Sequence, residues 1–209
     1  MRRPFKQGDM DGFCGIYTLV NAIKYLAGLK FTEDDASGLF RELVRVVFKR
    51  NNRRRKNKSK SPVDFIWEGT SVHDISHMLR KTKHFLESKK LDLVWQKPLQ
   101  GRRRPKKIDQ YWKQLQTSFE GCCSQGRCVA IVDYNWQLDN SNRERGHWTC
   151  VTNMTEKTMI LLDSCMKKGR RFSKLSRLRC TLGIPTNGKP YRLLAHNVSI
   201  LRVIDTEPA

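Results

Sequence analysis

A chain of 209 residues with 38% hydrophobic and 9% aromatic residues has the size of one domain and enough apolar material for a core. Its periodic apolar stretches exclude wholesale disorder, and no apolar run reaches the roughly 18 residues of a membrane span. The formal charge of +21 resides in three acid-free runs: residues 49–60, 97–107 and 167–179 hold 21 of the 41 Lys and Arg, leaving 20 bases against 20 acids elsewhere.

In chain order, residues 14–28 read as an amphipathic helix. Ile16, Leu19, Val20, Ile23, Leu26 and Ala27 fall at three- and four-residue steps, and Gly28 stops it. A second helix is predicted from about Thr32 to Phe48, with Thr32 as N-cap, Glu33, Asp34 and Asp35 in the first turn and bases at its end. Residues 49–62 read as a charged loop. Ser71 caps a short helix over residues 71–80, Leu91 to Trp95 reads as a strand, and Ile108 to Phe119 as a further helix. Beyond that the pattern changes to short apolar runs: Cys128 to Val132, Gly146 to Val151, Thr158 to Leu162 and 198–204. The turn-like TNMTEK between the second and third predicts a hairpin. Helices first and strands afterwards predict an α+β fold, with an antiparallel sheet from about residue 128 onward.

The N-terminus MRRPFKQGDMDGFC is basic but has no apolar h-region, so it does not read as a secretory signal. Seven cysteines is an odd number. Reduced thiols in a cytosol-like compartment are therefore the expectation. The basic runs attract polyanions such as nucleic acid, anionic lipid or an acidic protein. Arg53, Arg54, Arg55, Arg102, Arg103, Arg104, Lys167, Lys168, Arg170 and Arg171 are the candidate contacts. Aromatics do not interleave with these runs except at Phe172, so no base-stacking platform is expected and contact would be to phosphates.

Three places carry chemistry. Gln7 precedes Asp11-Gly12-Phe13-Cys14-Gly15 at the mouth of the first helix. A cysteine there meets unpaired backbone N–H groups and the positive end of the helix dipole, which favours the thiolate nucleophile. Gly12 and Gly15 allow a tight entry and close approach of a substrate backbone. Gly146-His147-Trp148 opens one predicted strand, and Asp163-Ser164 ends the next. A paired hairpin brings His147 near Asp163, giving a nucleophile, a base and an orienting carboxylate. Metal ligation is not expected. His73 and His77 stand i, i+4 on a helix but lack the Glu that would follow the first of them in a metalloprotease motif. The GCCSQGRC segment, with Cys122, Cys123 and Cys128, has no matching second pair.

The segment QGDMDGFCGIYTLVNAI, with GHWTCV and MILLDS downstream, resembles the papain-like cysteine peptidase superfamily, and within it the bacteriocin-processing peptidases that accompany exporters. The same pieces resemble those of ubiquitin-like-protein proteases in permuted order. The resemblance covers both ends of the fold and says little about residues 30–125. It implies a single papain-like domain over 1–209 with the basic runs as insertions. Cys14 would be the nucleophile, His147 the base, Asp163 its orienter and Gln7 an oxyanion donor beside the Cys14 backbone N–H. Trp148 would shield the pair from water. The step from Gln7 to Cys14 is one residue longer than usual in that pattern. With no P-loop and no membrane span, a stand-alone cytoplasmic enzyme, or an effector delivered into a host or target cell, is expected. The expected activity is cleavage of a peptide or isopeptide bond in a protein or peptide substrate, without cofactor. Acyl transfer or deamidation at the same site is the alternative, as is a polyanion-binding protein on the same scaffold.

Overall fold

The computed structural model describes residues 13–54, 70–100, 105–137, 144–162 and 173–206; for 51–54, 137, 144 and 145 it describes the backbone alone. The fold is α+β. Among the described residues four helices, α1 (Cys14–Ala27), α2 (Glu33–Arg54), α3 (Val72–Glu87) and α4 (Ile108–Cys123), accompany seven strands. These are β1 (Leu91–Gln96), β2 (Cys128–Gln137), β3 (Glu144–Met154), β4 (Thr158–Leu162), β5 (Ser173–Ser176), β6 (Cys180–Thr181) and β7 (Tyr191–Asp205). The strands form a single sheet in the order β1-β7-β2-β3-β4-β5, antiparallel apart from the short β6, which pairs with β7 in parallel.

Alternation along the strands divides the core into two layers. On one face Val129, Ile131, Trp148, Cys150 and Leu201 pack with α1 and, through it, with α2 and α3. On the other, Ala130, Val132, Tyr134, Val151 and Ile200 pack with Tyr111, Trp112, Leu115 and Phe119 of α4. The central element is α1. Ten of its fourteen residues are buried, among them Thr18 and Asn21, because helices cover the side that the sheet does not. It ends at Gly28, whose φ of 57° lies in the left-handed region that glycine enters freely.

Several expectations need correction. The second helix runs on through the start of the first basic run to Arg54, where a loop was expected from residue 49. Thr32 does accept from the Asp35 backbone N–H at 3.1 Å, as an N-cap does. The helix beginning after Ser71 reaches Glu87, secured by a full capping box between Ser71 and Asp74. The expected strand at Leu91 and helix at Ile108 are both present, but β1 joins the sheet edge beside β7, so the sheet is not confined to residues from 128 onward. Strand β7 begins at Tyr191, seven residues before the apolar run that signalled it, and β5 and β6 carried no signal. Cys123 and Cys128 are joined by a disulfide with Cα atoms 5.2 Å apart, contrary to the expectation of reduced thiols throughout. The two cysteines close the tight turn that brings the end of α4 back into β2.

Asp74 holds the helical layer together. Its buried carboxylate accepts from Arg50 Nη1 of α2 at 2.8 Å and from the Ser71 backbone N–H at 3.0 Å. Glu42, by contrast, pairs with Arg45 and Lys81 in solvent. Breaking a buried pair strands the remaining charge, whereas exposed pairs contribute little. Asp74→Ala should therefore lower the unfolding free energy in urea by about 2–4 kcal/mol, and Glu42→Ala by less than about 1 kcal/mol. Equal effects would contradict this view of the layer.

Candidate active site

Cys14 is the first residue of α1, buried and not in a disulfide. The preceding Phe13 makes no side-chain cap and no acid lies in the first turn. Among the described residues, the first turn thus supplies no side chain that compensates the positive end of this helix. One turn further, the Thr18 hydroxyl donates to the Trp148 carbonyl at 2.7 Å, and the Cys150 thiol donates to the Thr18 carbonyl at 3.0 Å. These two bonds fix the start of α1 on β3, beside the residue that follows His147.

Trp148 is buried on the α1 face and donates its indole N–H to the Thr70 carbonyl at 2.7 Å. Thr70 also covers Gly15: a Cβ there would lie 2.6 Å from Thr70 Cγ2 and 3.0 Å from Ile75 Cδ1. Gly15 lets the chain at Thr70 close over the helix start, and Thr70 in turn holds the tryptophan. At the exposed Gly146, a Cβ would meet Asn135 Oδ1 at 3.2 Å.

His147 is buried directly across from Tyr134 in the β2–β3 ladder. Its ring meets Tyr134 edge-on at 5.4 Å and Trp136 at 5.8 Å. Those side chains belong to the α4 face of the sheet, whereas Trp148 and Cys150 belong to the α1 face. Cys14 therefore belongs to the face of the sheet that carries Trp148 and His147 to the other, and among the described residues no hydrogen bond joins the Cys14 thiol to the imidazole. Strand β4 pairs with β3 as the hairpin expectation required, Leu162 lying opposite Cys150. Asp163 follows immediately and lies outside the described residues, as do Gln7 and Gly12.

Of the candidate polyanion contacts, Arg55, Arg102–Arg104, Lys167, Lys168, Arg170 and Arg171 lie outside the described residues, and the backbones of Arg53 and Arg54 close α2. The described end of the third run connects to His147 through a series of ring contacts. The Arg179 guanidinium lies over the Tyr191 ring at 5.2 Å, Tyr191 packs on Tyr134 at 5.8 Å, and Tyr134 packs on His147. His73 and His77 are exposed on α3, and no group of three metal-ligating side chains occurs among the described residues.

Asp133 on β2, opposite Trp148, is a buried acid that sequence reasoning did not single out. It is buried and accepts from Asn197 Nδ2 at 2.7 Å. Burial pushes its carboxyl up to about 6, against the opposing pull of the Asn197 bond and the positive charge of His147. The only sequence signal was an acid at the end of the apolar run CVAIV, where a strand edge would have explained it equally well.

Compared with models of known families and with curated proteins, the chain matches none. Among the described residues no helix is long and apolar enough to cross a membrane.

A carboxyl raised in the folded state binds its proton more tightly there than in the unfolded chain. Its stabilising contribution is complete below about 3.8 and is lost as pH rises through about 6. At about 1.4 kcal/mol per pH unit, that rise is worth on the order of 3 kcal/mol. Urea unfolding between pH 4 and 7 should show stability declining by a contribution of this order, and Asp133→Asn should flatten the decline. An unchanged pH dependence in the variant would show that Asp133 is not its source.

Proposed function

We propose that the protein is a thiol-dependent hydrolase acting on a peptide or isopeptide bond, on a papain-like scaffold. The observation that carries this reading is the docking of α1 on β3. The Thr18–Trp148 and Thr18–Cys150 bonds hold the first turns of α1, with Cys14 as its first residue, on the strand that carries His147.

In the proposed reaction the Cys14 thiolate attacks the substrate carbonyl. His147 protonates the leaving amine, and water then hydrolyses the thioester. The Cys14 backbone N–H, with the side chain of Gln7, would hold the developing oxyanion, and Asp163 would orient the imidazole. Trp148, held by Thr70, would shield the thiol side from water. The Arg179 end of the third basic run would draw substrates of acidic character toward the imidazole side. Transfer of the acyl group to an amine, or deamidation of a glutamine, would use the same groups.

Mass spectrometry after brief exposure to iodoacetamide near neutral pH tests the reading. Cys14 should be labelled at least about tenfold faster than Cys122, Cys150 or Cys180. Burial raises the thiols of Cys122 and Cys180, the latter to about 12, so these two serve as slow internal references. In a screen of quenched peptide substrates, Cys14→Ala and His147→Ala should abolish turnover with the circular dichroism unchanged. Labelling of Cys14 no faster than the references would remove the nucleophile and the reading with it.

A further inference from the structure

The chain between β4 and the end of β7 is free of acids: from residue 164 to residue 204 there is neither Asp nor Glu. After β5 it makes one turn of 3-10 helix over Arg177–Arg179, touches the sheet through β6 and returns to it at Tyr191. Two large apolar side chains stand in water on this excursion, Leu178 at 76% exposure and Ile184 at 82%. The backbone that carries them is pinned. Leu175 and Cys180 are buried on either side of the 3-10 turn, and the Cys180 thiol donates to the Ser176 carbonyl at 3.2 Å. Beyond Ile184, Pro185 is buried, and Thr186 and Lys189 exchange backbone bonds of 3.2 and 2.9 Å to close the turn at Asn187 and Gly188.

A single exposed leucine or isoleucine is ordinary on a protein surface. These two differ in what surrounds them. Leu178 stands between Arg177 and Arg179, and Lys174 and Lys189 are exposed on the same excursion. Arg177 Nε lies 3.7 Å from the exposed Asp109, and Arg179 lies over the Tyr191 ring. Among the described residues no ion pair holds Lys174, Arg179 or Lys189. The excursion thus offers apolar tips and positive charge together, with no acid of its own to answer that charge.

We propose that this excursion docks the protein on an anionic lipid bilayer, with Leu178 and Ile184 entering the boundary between headgroups and acyl chains and Lys174, Arg177, Arg179 and Lys189 binding the lipid phosphates. Basic side chains beside exposed apolar ones suit that boundary, where one kind meets the headgroups and the other leaves water. A nucleic acid would use the bases and leave both apolar side chains in solvent. An acidic protein would need a pocket shaped for each of them, whereas a bilayer needs no such match. The proposal goes beyond the hydrolase reading and uses neither Cys14 nor His147.

Co-sedimentation of the full chain with vesicles tests it, phosphatidylcholine alone against phosphatidylcholine with roughly one third phosphatidylserine. The chain should pellet with the anionic vesicles and stay in solution with the neutral ones. The double variant Leu178→Ser, Ile184→Ser keeps every charge, yet its affinity for the anionic vesicles should fall at least about tenfold. Leu29→Ser, at a leucine 86% exposed on the turn after α1, should leave binding unchanged. Lys174→Gln with Lys189→Gln should weaken binding at low salt, and the difference should close at high salt. If the double apolar variant does not fold, the single variants serve, each with an expected loss of about threefold. Undiminished binding of a folded apolar variant overturns the proposal, because charge alone would then hold the chain on the surface. Equal binding to neutral vesicles overturns it as well, and retention on a single-stranded oligonucleotide without vesicle binding overturns it in favour of nucleic acid.

Discussion

The hydroxyl of Thr18 bonds to the carbonyl of Trp148 across the boundary between the central helix and the sheet, and the arrangement of the site depends on that bond. A helix as buried as α1 could slide or rotate against apolar strands at little cost if only dispersion held it. A directional bond in a dry interface removes that freedom, because breaking it would leave a buried polar group unpaired. The Cys150 thiol on the Thr18 carbonyl adds a second point of attachment, so both the height and the rotation of α1 are fixed on β3. Thr70 then closes over Gly15 and takes the indole N–H of Trp148, joining the start of α3 to the same corner. Cys14 lies one turn from this junction, and His147 one residue from it.

Charge is arranged around this corner on two scales. Close in, Asp133 is buried opposite Trp148 and its carboxylate accepts from Asn197. Further out, Arg179, Tyr191 and Tyr134 form a stacked path from the third basic run to the imidazole. On the helical side Glu33, Asp34 and Asp35 stand at the N-terminus of α2, where they complement the dipole, and Arg50 is neutralised by Asp74. The net charge of the chain therefore lies in the runs and not in the core, where buried Asp74 is paired with Arg50 and buried Asp133 accepts from Asn197.

Much of this was legible in the sequence, for reasons that differ by element. Helix α1 and the β3–β4 hairpin were readable because their apolar periodicity follows directly from burial on one face or on all sides. The α2 end was misread because a run of arginines resembles a loop, although Arg is a good helix former and a helix C-terminus tolerates positive charge. Strand β7 was read only from residue 198 because its first half is interrupted by the bulge at 194–197, which breaks the two-residue alternation. The position of Cys14 at a helix start can be seen locally, whereas β3 begins at Glu144, two residues before the Gly146 from which the apolar run was read. Asp133, Asn197 and Thr70 were missed because their roles arise only when β7, β2 and the start of α3 converge, and no short-range pattern encodes that. The disulfide between Cys123 and Cys128 depends likewise on how tightly α4 turns into β2.

The central claim is that one corner of the fold makes a thiol and an imidazole act as a pair. The most direct measurement is the rate of Cys14 alkylation at pH 6 in the wild type against His147→Gln, a replacement that keeps a polar side chain of similar reach but cannot carry the proton. The account predicts that the wild type reacts at least about tenfold faster, with the Cys150 and Cys180 rates equal in the two proteins. Equal rates at Cys14 in a folded variant would contradict it, because the thiol would then owe nothing to the histidine.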